Sequence, residues 1–493
     1  MIKSHQFPPM FSFGIASKLK KIVGRDSVLD RAEDLMLYEY DGSLARGMPN
    51  FVVFPQNTEQ VSAIMKLACS EQLSVIPRGA GTGLSGGAIA RRGGIVLSLA
   101  RMNRILEIDV ANLRATVQPG VVNLDLSAAL APQGFYFAPD PSSQKACTIG
   151  GNVAENSGGP HTLVSGVTVN HVTGIEVVLP DGRIAQLGSK SANAAGYDLP
   201  GVFVGSEGTF GIATAITVKI CRLPESVATL LAIYDDVQDA ANTVVALTTE
   251  GITPAAIEML DGWTLRAVEA YVHAGYPLDS AAVLLIELEG LREAVDEQAE
   301  IVSAVCRRAG AREVRRAKDE NERQLLWKGR KTAFGAIGRV SPSYYVQDGV
   351  IPRTRVPETL RKIEEVGKKH SLTIGNIFHA GDGNLHPLIL FDARDEQQTR
   401  RTLEAGREIL EFCISVGGSI TGEHGVGMEK QDLMSSLFSE SELEVMGRLR
   451  KCFNPDSVLN PQKLLPSTRT CRETVMPGHA SLDAPVASAA ELR

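Results

Sequence analysis

The sequence predicts an α+β fold in two parts, the second organised on a mostly antiparallel sheet. Three observations lead there. Between residues 50 and 225, short strand-like runs are separated by three loops rich in glycine and small polar residues. Composition shifts at Pro224-Glu225-Ser226. Beyond that point, strand-length and helix-length apolar patterns alternate as far as residue 416, the pattern of an α+β domain.

Residues 1–49 read as an amphipathic helical lead-in, with Leu19, Ile22, Val28, Leu29, Ala32, Leu35 and Met36 as its apolar positions. A strand is expected at 51–54 and a helix at 58–72, with Thr58 as its cap. Further strands are expected at 73–77, 95–99, 105–108 and 115–118, then a helix at 123–131. Strands at 172–179 and 183–187 follow, the second after a Pro-Asp-Gly turn at 180–182. One long strand, 211–223, ends this part at Pro224. In residues 226–440, strands are expected at 229–234, 283–288, 343–346, 372–378 and 387–391. Helices are expected at 237–249, 261–272, 292–308, 318–338, 357–369 and 395–416. Residues 441–466 close the folded chain. The last stretch, 467–493, mixes Ser, Ala, Pro and charge without periodicity, the composition of a disordered tail.

Composition narrows the function. The chain has 493 residues, a net charge of -7 and no basic stripe, so nucleic-acid binding has no support. No apolar run approaches the roughly 20 residues of a membrane span, and the N-terminus does not read as a secretory signal. The seven cysteines are scattered. They form no Cys-x-x-Cys, so neither a disulfide framework nor an iron–sulfur centre is expected. A cytoplasmic location follows, with at most peripheral contact with a membrane.

The glycine loops point to a cofactor. The first, Pro77-Arg78-Gly79-Ala80-Gly81-Thr82-Gly83-Leu84-Ser85-Gly86-Gly87, has five glycines in eleven residues directly after a strand. Bare backbone N–H groups in such a loop can ring a pyrophosphate. It is not a Walker loop, and it lacks the third spacing of a Rossmann fingerprint. The second block joins Pro141, Ser142 and Ser143 to Thr148, Gly150, Gly151, Asn152, Ala154 and Gly158. The third runs from Gly205 through Glu207 to Gly211 and Ile212. Each alone is an ordinary turn as readily as a site. Together they suit an extended dinucleotide of flavin size.

Two further segments carry chemistry: His379-Ala380-Gly381-Asp382-Gly383-Asn384-Leu385-His386 and Gly422-Glu423-His424-Gly425. If Asp382-Gly383 forms a two-residue hairpin turn, His379 faces His386 with Cβ atoms roughly 5 Å apart. Two imidazoles so placed, with Glu423 as third ligand, suit zinc or manganese and leave a position open. The bland alternative is a pair of structural histidines at a polar turn.

The three loops, in this order, resemble the flavin domain of the vanillyl-alcohol oxidase / p-cresol methylhydroxylase superfamily. The two histidine segments are similar to those of its FAD-linked D-2-hydroxyacid dehydrogenase branch, above all to the flavin subunits of bacterial glycolate oxidases. The resemblance spans about residues 20–466 and implies an FAD-binding domain of two α+β subdomains (50–225) and an α+β substrate, or cap, domain (226–440). The segment 441–466 returns to the FAD domain, bringing Asn460 to the flavin. FAD is expected to be noncovalent, since no histidine stands in the first loop, and Cys147 is taken as structural. By resemblance His379, His386 and Glu423 hold a divalent ion, His424 is the base and Arg330 meets the substrate carboxylate. Phe334 and Tyr344-Tyr345 stand where diacid-using relatives carry a threonine and a lysine, which favours a small monocarboxylate.

The implied reaction is oxidation of a small 2-hydroxy acid, glycolate or D-lactate, to the 2-oxo acid, with hydride transfer to flavin N5. An iron–sulfur subunit, a second flavin-type subunit and quinone are the implied electron path, placing the chain on the inner face of the cell membrane through its partners. Alternatives remain: a D-lactate or other D-2-hydroxyacid dehydrogenase without an iron–sulfur partner, an oxidase using O₂, a cell-wall-type flavin reductase, or a non-catalytic flavin-binding subunit.

Overall fold

The structure, a computed structural model, describes residues 9–191 and 196–466. The tail expected from residue 467 lies outside the described residues. Three sheets carry the architecture. The first pairs Val28–Leu29, Phe51–Val53, Ile95–Ser98 and Val75–Arg78 in that order, the last three parallel. Helix Thr58–Ser70 lies on it with Val61, Ile64 and Met65 buried, and helix Pro9–Val23 packs beside that helix through Leu19. The lead-in is therefore not helical throughout, because Val28 and Leu29 gain a sheet edge. Asn57, not Thr58, caps the helix, accepting from Gln60 N at 2.9 Å.

The second sheet is antiparallel, in the order Ile105–Asp109, Arg114–Val117, Ile212–Lys219, Val172–Val178, Ile184–Gly188. Helices Asn123–Leu130 and Ile149–Glu155 bury Leu126, Leu130, Ile149 and Val153 in its core. The long strand expected to 223 stops at Lys219. Cys221–Arg222 instead pairs with Phe135–Tyr136.

The third sheet has nine strands, all antiparallel. At its centre Ser226–Tyr234, Ala282–Gly290, Ala256–Asp261 and Ile374–His379 lie side by side. Helices Val237–Thr249, Arg292–Arg308, Val356–His370 and Glu396–Ser415 cover one face. The other is covered by Gly262–Val272, Glu320–Lys331 and Ala333–Ile337. Four of its strands were not expected: the two-residue Gly349–Val350 and Asn384–Leu385, and the longer Ala256–Asp261 and Glu313–Arg316. Glu258 and a run of charge disguise the longer two, although Ile257 and Met259 face one core and Ala256 and Leu260 the other. The single helix expected over 318–338 breaks at Thr332, whose hydroxyl donates to the Lys328 carbonyl at 2.7 Å.

The expected two-residue turn at Asp382-Gly383 is not formed. His379 pairs with Asn384, so residues 380–383 make a four-residue turn. Gly383 takes φ +80°, and its N–H reaches the His379 carbonyl at 3.2 Å. His386 then falls between strands Asn384–Leu385 and Pro387–Phe391.

Buried polar contacts join the first two sheets to the third. The His161 ring sits between Asp140 (Nδ1 to Oδ2, 2.9 Å) and Glu287 (Nε2 to Oε1, 3.2 Å) and stacks on Trp327. Glu289, Arg323 and Lys331 stand around the same group. Burial alone would lower the His161 pKa, but Asp140 and then Glu287 hold it well above the ordinary value. A raised imidazole stabilises the fold fully below its unfolded pKa of about 6.5, and that contribution disappears as pH rises through the folded value. His161→Gln is therefore expected to cost about 2 kcal/mol near pH 6. In denaturant titrations at several pH values, the gap to wild type should close toward alkaline pH. A gap independent of pH would show that the imidazole is not charged there.

Candidate active site

A cavity of about 390 Å³ runs between the first two sheets and the third. Its floor is the first glycine loop. Pro77, Arg78, Gly79, Ala80, Gly81, Thr82, Gly83 and Gly87 all line it. The N–H groups of Ala80, Gly81 and Thr82 make no hydrogen bond among the described residues. Backbone donors left free beside a cavity suit an anionic diphosphate. Arg78 is anchored beneath the loop, donating to the Tyr40 carbonyl at 2.8 Å. Opposite it stand Pro141, Ser142, Ser143, Thr148, Gly150, Gly151, Asn152 and Ala154.

The C-terminal segment locks this loop. Residues 458–460 run beside Val75, with Val75 N donating to the Val458 carbonyl and Asn460 N to the Val75 carbonyl. Asn460 lines the cavity and donates to the Gly87 and Glu207 carbonyls. Buried Lys463 donates to the carbonyls of Gly86, Gly87 and Ile89 at 2.8–3.1 Å. Among the expected cofactor contacts, four are off the wall. Gly86 gives its carbonyl to Lys463. Gly158 packs near Glu423, Gly211 against Val177 and Phe203. Ile212 is buried in the first sheet's core. These four shape the wall from behind because their neighbours fill the space in front.

Glu207 lines the cavity but does more than face a ligand. Its carboxylate accepts from Val426 N and Gly427 N, at 2.7 Å each, across from the first two sheets to the loop that carries Glu423 and His424. Gly425 takes φ +81°, which strains any other residue. A Cβ would stand 2.1 Å from Glu155 Oε2 and 2.9 Å from Glu207 Oε1. Burial raises the pKa of both glutamates.

At the other end of the cavity the two histidine segments meet. The His379 and His386 rings are perpendicular with centroids 5.1 Å apart. Their Nδ1 atoms are engaged, His379 with Glu258 Oε1 (2.7 Å) and His386 with the Gln347 carbonyl (3.3 Å). Each ring is thus fixed with Nε2 free to act as a ligand, as metal-binding histidines require. The two Nε2 atoms lie 3.4 and 3.1 Å from Glu423 Oε1. Bonds of about 2.1 Å at a tetrahedral ion put ligand atoms roughly 3.4 Å apart, so the three residues fit one divalent cation. His386 Nε2 and Glu423 Oε2 have no hydrogen-bond partner, the orphaned lone pairs such an ion would satisfy. Burial would raise the Glu423 carboxyl, but His379 and His386 hold it well below the usual range.

His424 differs from these two. Its ring stacks on His386 at 4.9 Å, and Nε2 lies 3.7 Å from Glu423 Oε1. Burial pushes its pKa down to about 4, against the pull of Asp348, so the imidazole is neutral at pH 7 and has a lone pair to use.

Arg330 is not on the wall. Its guanidinium is 0 % exposed, its Nε is paired with Glu258, and Nη2 is 3.4 Å from His379 Nδ1. Nη1 has no partner. The cation that faces the cavity at this end is Lys331, 3.2 Å from Asp140. Phe334 and Tyr344 stand beside it, whereas Tyr345 packs away against Gly406. Sequence reasoning missed Glu258, Gln347, Asp348, Lys331 and Glu155. Glu258 had one usable signal, an acidic residue inside an apolar run.

Comparison with known proteins places the chain. Residues 49–188 match the family described as FAD binding domain, and residues 223–464 the FAD linked oxidases, C-terminal domain. The glycolate oxidase subunit GlcD of Escherichia coli K12 is 45% identical over 94% of this chain and 94% of its own. The GlcD subunit of Bacillus subtilis is 40% identical over 92% and 97%. A D-lactate dehydrogenase of Archaeoglobus fulgidus is 34% identical over 85% and 92%. Among solved structures, p-cresol methylhydroxylase with substrate bound shares the fold at a TM-score of 0.80 and 19% identity, over 92% of this chain and 97% of that one. No helix among the described residues is long and apolar enough to cross a membrane. The chain belongs to the FAD-linked oxidases and is an FAD-linked oxidoreductase.

Proposed function

We propose that this chain oxidises a small 2-hydroxy acid, glycolate or D-lactate, to the 2-oxo acid. The observation that carries the reading is the convergence of His379, His386 and Glu423, beside a neutral His424, at the end of the flavin cavity. In this reading residues 50–225 with 441–466 hold FAD, and residues 226–440 hold the ion and the substrate.

Bound FAD supplies the hydride acceptor. A zinc or manganese ion held by His379, His386 and Glu423 supplies a Lewis acid that lowers the pKa of the substrate hydroxyl. His424 takes the hydroxyl proton on Nε2, the nitrogen on the Glu423 side. The substrate carboxylate has one cation to meet on the wall, Lys331; Arg330, expected in that role, is buried behind His379 and holds Glu258 instead. Phe334 and Tyr344 narrow the space beside Lys331 and favour a short acid over a diacid. Kinship with proteins named as glycolate oxidase subunits supports partner subunits; an iron–sulfur subunit, a second flavin-type subunit and quinone, with peripheral placement at the membrane through them, are the electron path we propose. The D-lactate dehydrogenase relatives support D-lactate as substrate; a second reading has the same site working without an iron–sulfur partner.

Anaerobic mixing of the flavin-loaded protein with D- and L-2-hydroxy acids tests the reaction. Glycolate or D-lactate should bleach the flavin, and prior chelation should slow bleaching at least a hundredfold. Bleaching that ignores the chelator would remove the ion from the mechanism. His424→Ala should retain the wild-type flavin spectrum and lose about 10²–10⁴ in the bleaching rate. A wild-type rate in that variant would assign the base elsewhere.

A further inference from the structure

Glu423 and His424 are neighbours in sequence, yet both side chains reach the same site. Side chains of adjacent residues diverge on an extended backbone, so something must fold the backbone of this loop. Glycines at 422 and 425 permit the bend but do not impose it. The structure shows what lies inside it. Asp348, 0 % exposed, stands between strands Ser343–Val346 and Gly349–Val350. Its Oδ2 accepts from Gly422 N at 3.1 Å, His424 N at 2.9 Å and Lys430 Nζ at 3.2 Å, and from the Thr421 hydroxyl. Glu423 N lies 3.4 Å from both carboxylate oxygens. Three successive amides are therefore wrapped around one charge.

We propose that Asp348 is the positioning residue of the active site, a buried anion on which the 421–424 backbone is wound so that one residue serves as ligand and the next as base. The inference rests on the functional reading above and deepens it. A lone carboxylate in a protein interior is costly unless donors surround it, and the cheapest donors here are the amides of this loop. Meeting that demand closes the loop and turns Glu423 toward His379 and His386. Asp348 also lies within reach of His386 and His424, so it could be taken for a metal ligand itself. Its engagement by Thr421, Gly422, His424 and Lys430 gives that carboxylate a structural role of its own, since four donors already converge on Oδ2. The adjoining Gln347 carbonyl orients His386. One dipeptide, Gln347-Asp348, thereby holds both sides of the metal triad.

Asp348→Asn keeps the shape but sets an amide among donors. The full-length flavoprotein can be read in two independent ways. Hydrogen exchange at the amides of 422–424 should accelerate at least tenfold while exchange in the 77–87 loop is unchanged. Zinc or manganese affinity, by equilibrium dialysis, should fall ten- to a hundredfold with the flavin content preserved, and Asp348→Glu should not restore it. Wild-type exchange at 422–424 would overturn the proposal. Should wild-type protein bind no ion at His379, the metal reading fails, and exchange alone decides the role of Asp348. Should Asp348→Asn not fold, Thr421→Val removes one donor and keeps the charge. It should still accelerate exchange at 422–424, and unchanged exchange there would equally overturn the proposal.

Discussion

Two amides, those of Val426 and Gly427, donate to the carboxylate of Glu207, and much of the site depends on that contact. Glu207 belongs to the walls around the flavin cavity, whereas the amides belong to the loop that carries Glu423 and His424. Hydride chemistry requires the acid and the flavin to be aligned to a fraction of an ångström. Two regions with separate cores reach such alignment only if the junction is stiff. A buried carboxylate with two charge-assisted bonds is stiff, because losing either bond leaves a charge without a donor. Gly425, squeezed between Glu155 and Glu207, lets the loop come close enough to make it.

The same logic recurs at each buried acid. Glu258 sits in the centre of an apolar strand because Arg330 and His379 both need it. Burial opposes its charge, Arg330 and then His379 restore it, and the carboxyl is held below its usual range. The chain Arg330–Glu258–His379 then orients one imidazole, as the Gln347 carbonyl orients that of His386. These contacts are electrostatic devices for orientation. None faces the cavity.

That explains what was legible in the sequence and what was not. The glycine loops were legible because a cofactor with a long anionic spine needs many unobstructed amides at one place, and that need leaves a local mark in composition. The candidate set His379, His386, Glu423 and His424 was legible as two short segments, and the structure brings the four side chains together. Their geometry was not legible. Asp382-Gly383 suggests a two-residue turn, but Gly383 bonds back to His379 and widens it, so His386 gets its direction from a break between two strands. Glu258 lies 121 residues from His379, Asp348 76 from His424 and Lys331 191 from Asp140, and no local pattern can announce a partner at that separation. Gly86, Gly158, Gly211 and Ile212 looked like loop contacts, yet they support the wall from behind.

Three imidazoles within contact of one another do different work, and what each meets decides which. His379 gives Nδ1 to a carboxylate and His386 gives Nδ1 to a carbonyl, so both turn Nε2 to Glu423. His424 has no such acceptor and makes no ring hydrogen bond among the described residues. Its backbone N–H, not its ring, takes Asp348. The ring is left stacked on His386 with Nε2 on the Glu423 side. In the reading proposed above, a buried neutral imidazole is a weak base, so an alcohol would yield its proton to His424 only beside a Lewis acid that made the hydroxyl more acidic. His379, His386 and Glu423 offer the donor types that would hold such an ion. Glu423 and His424 would then share one loop because ligand and base must meet the same hydroxyl.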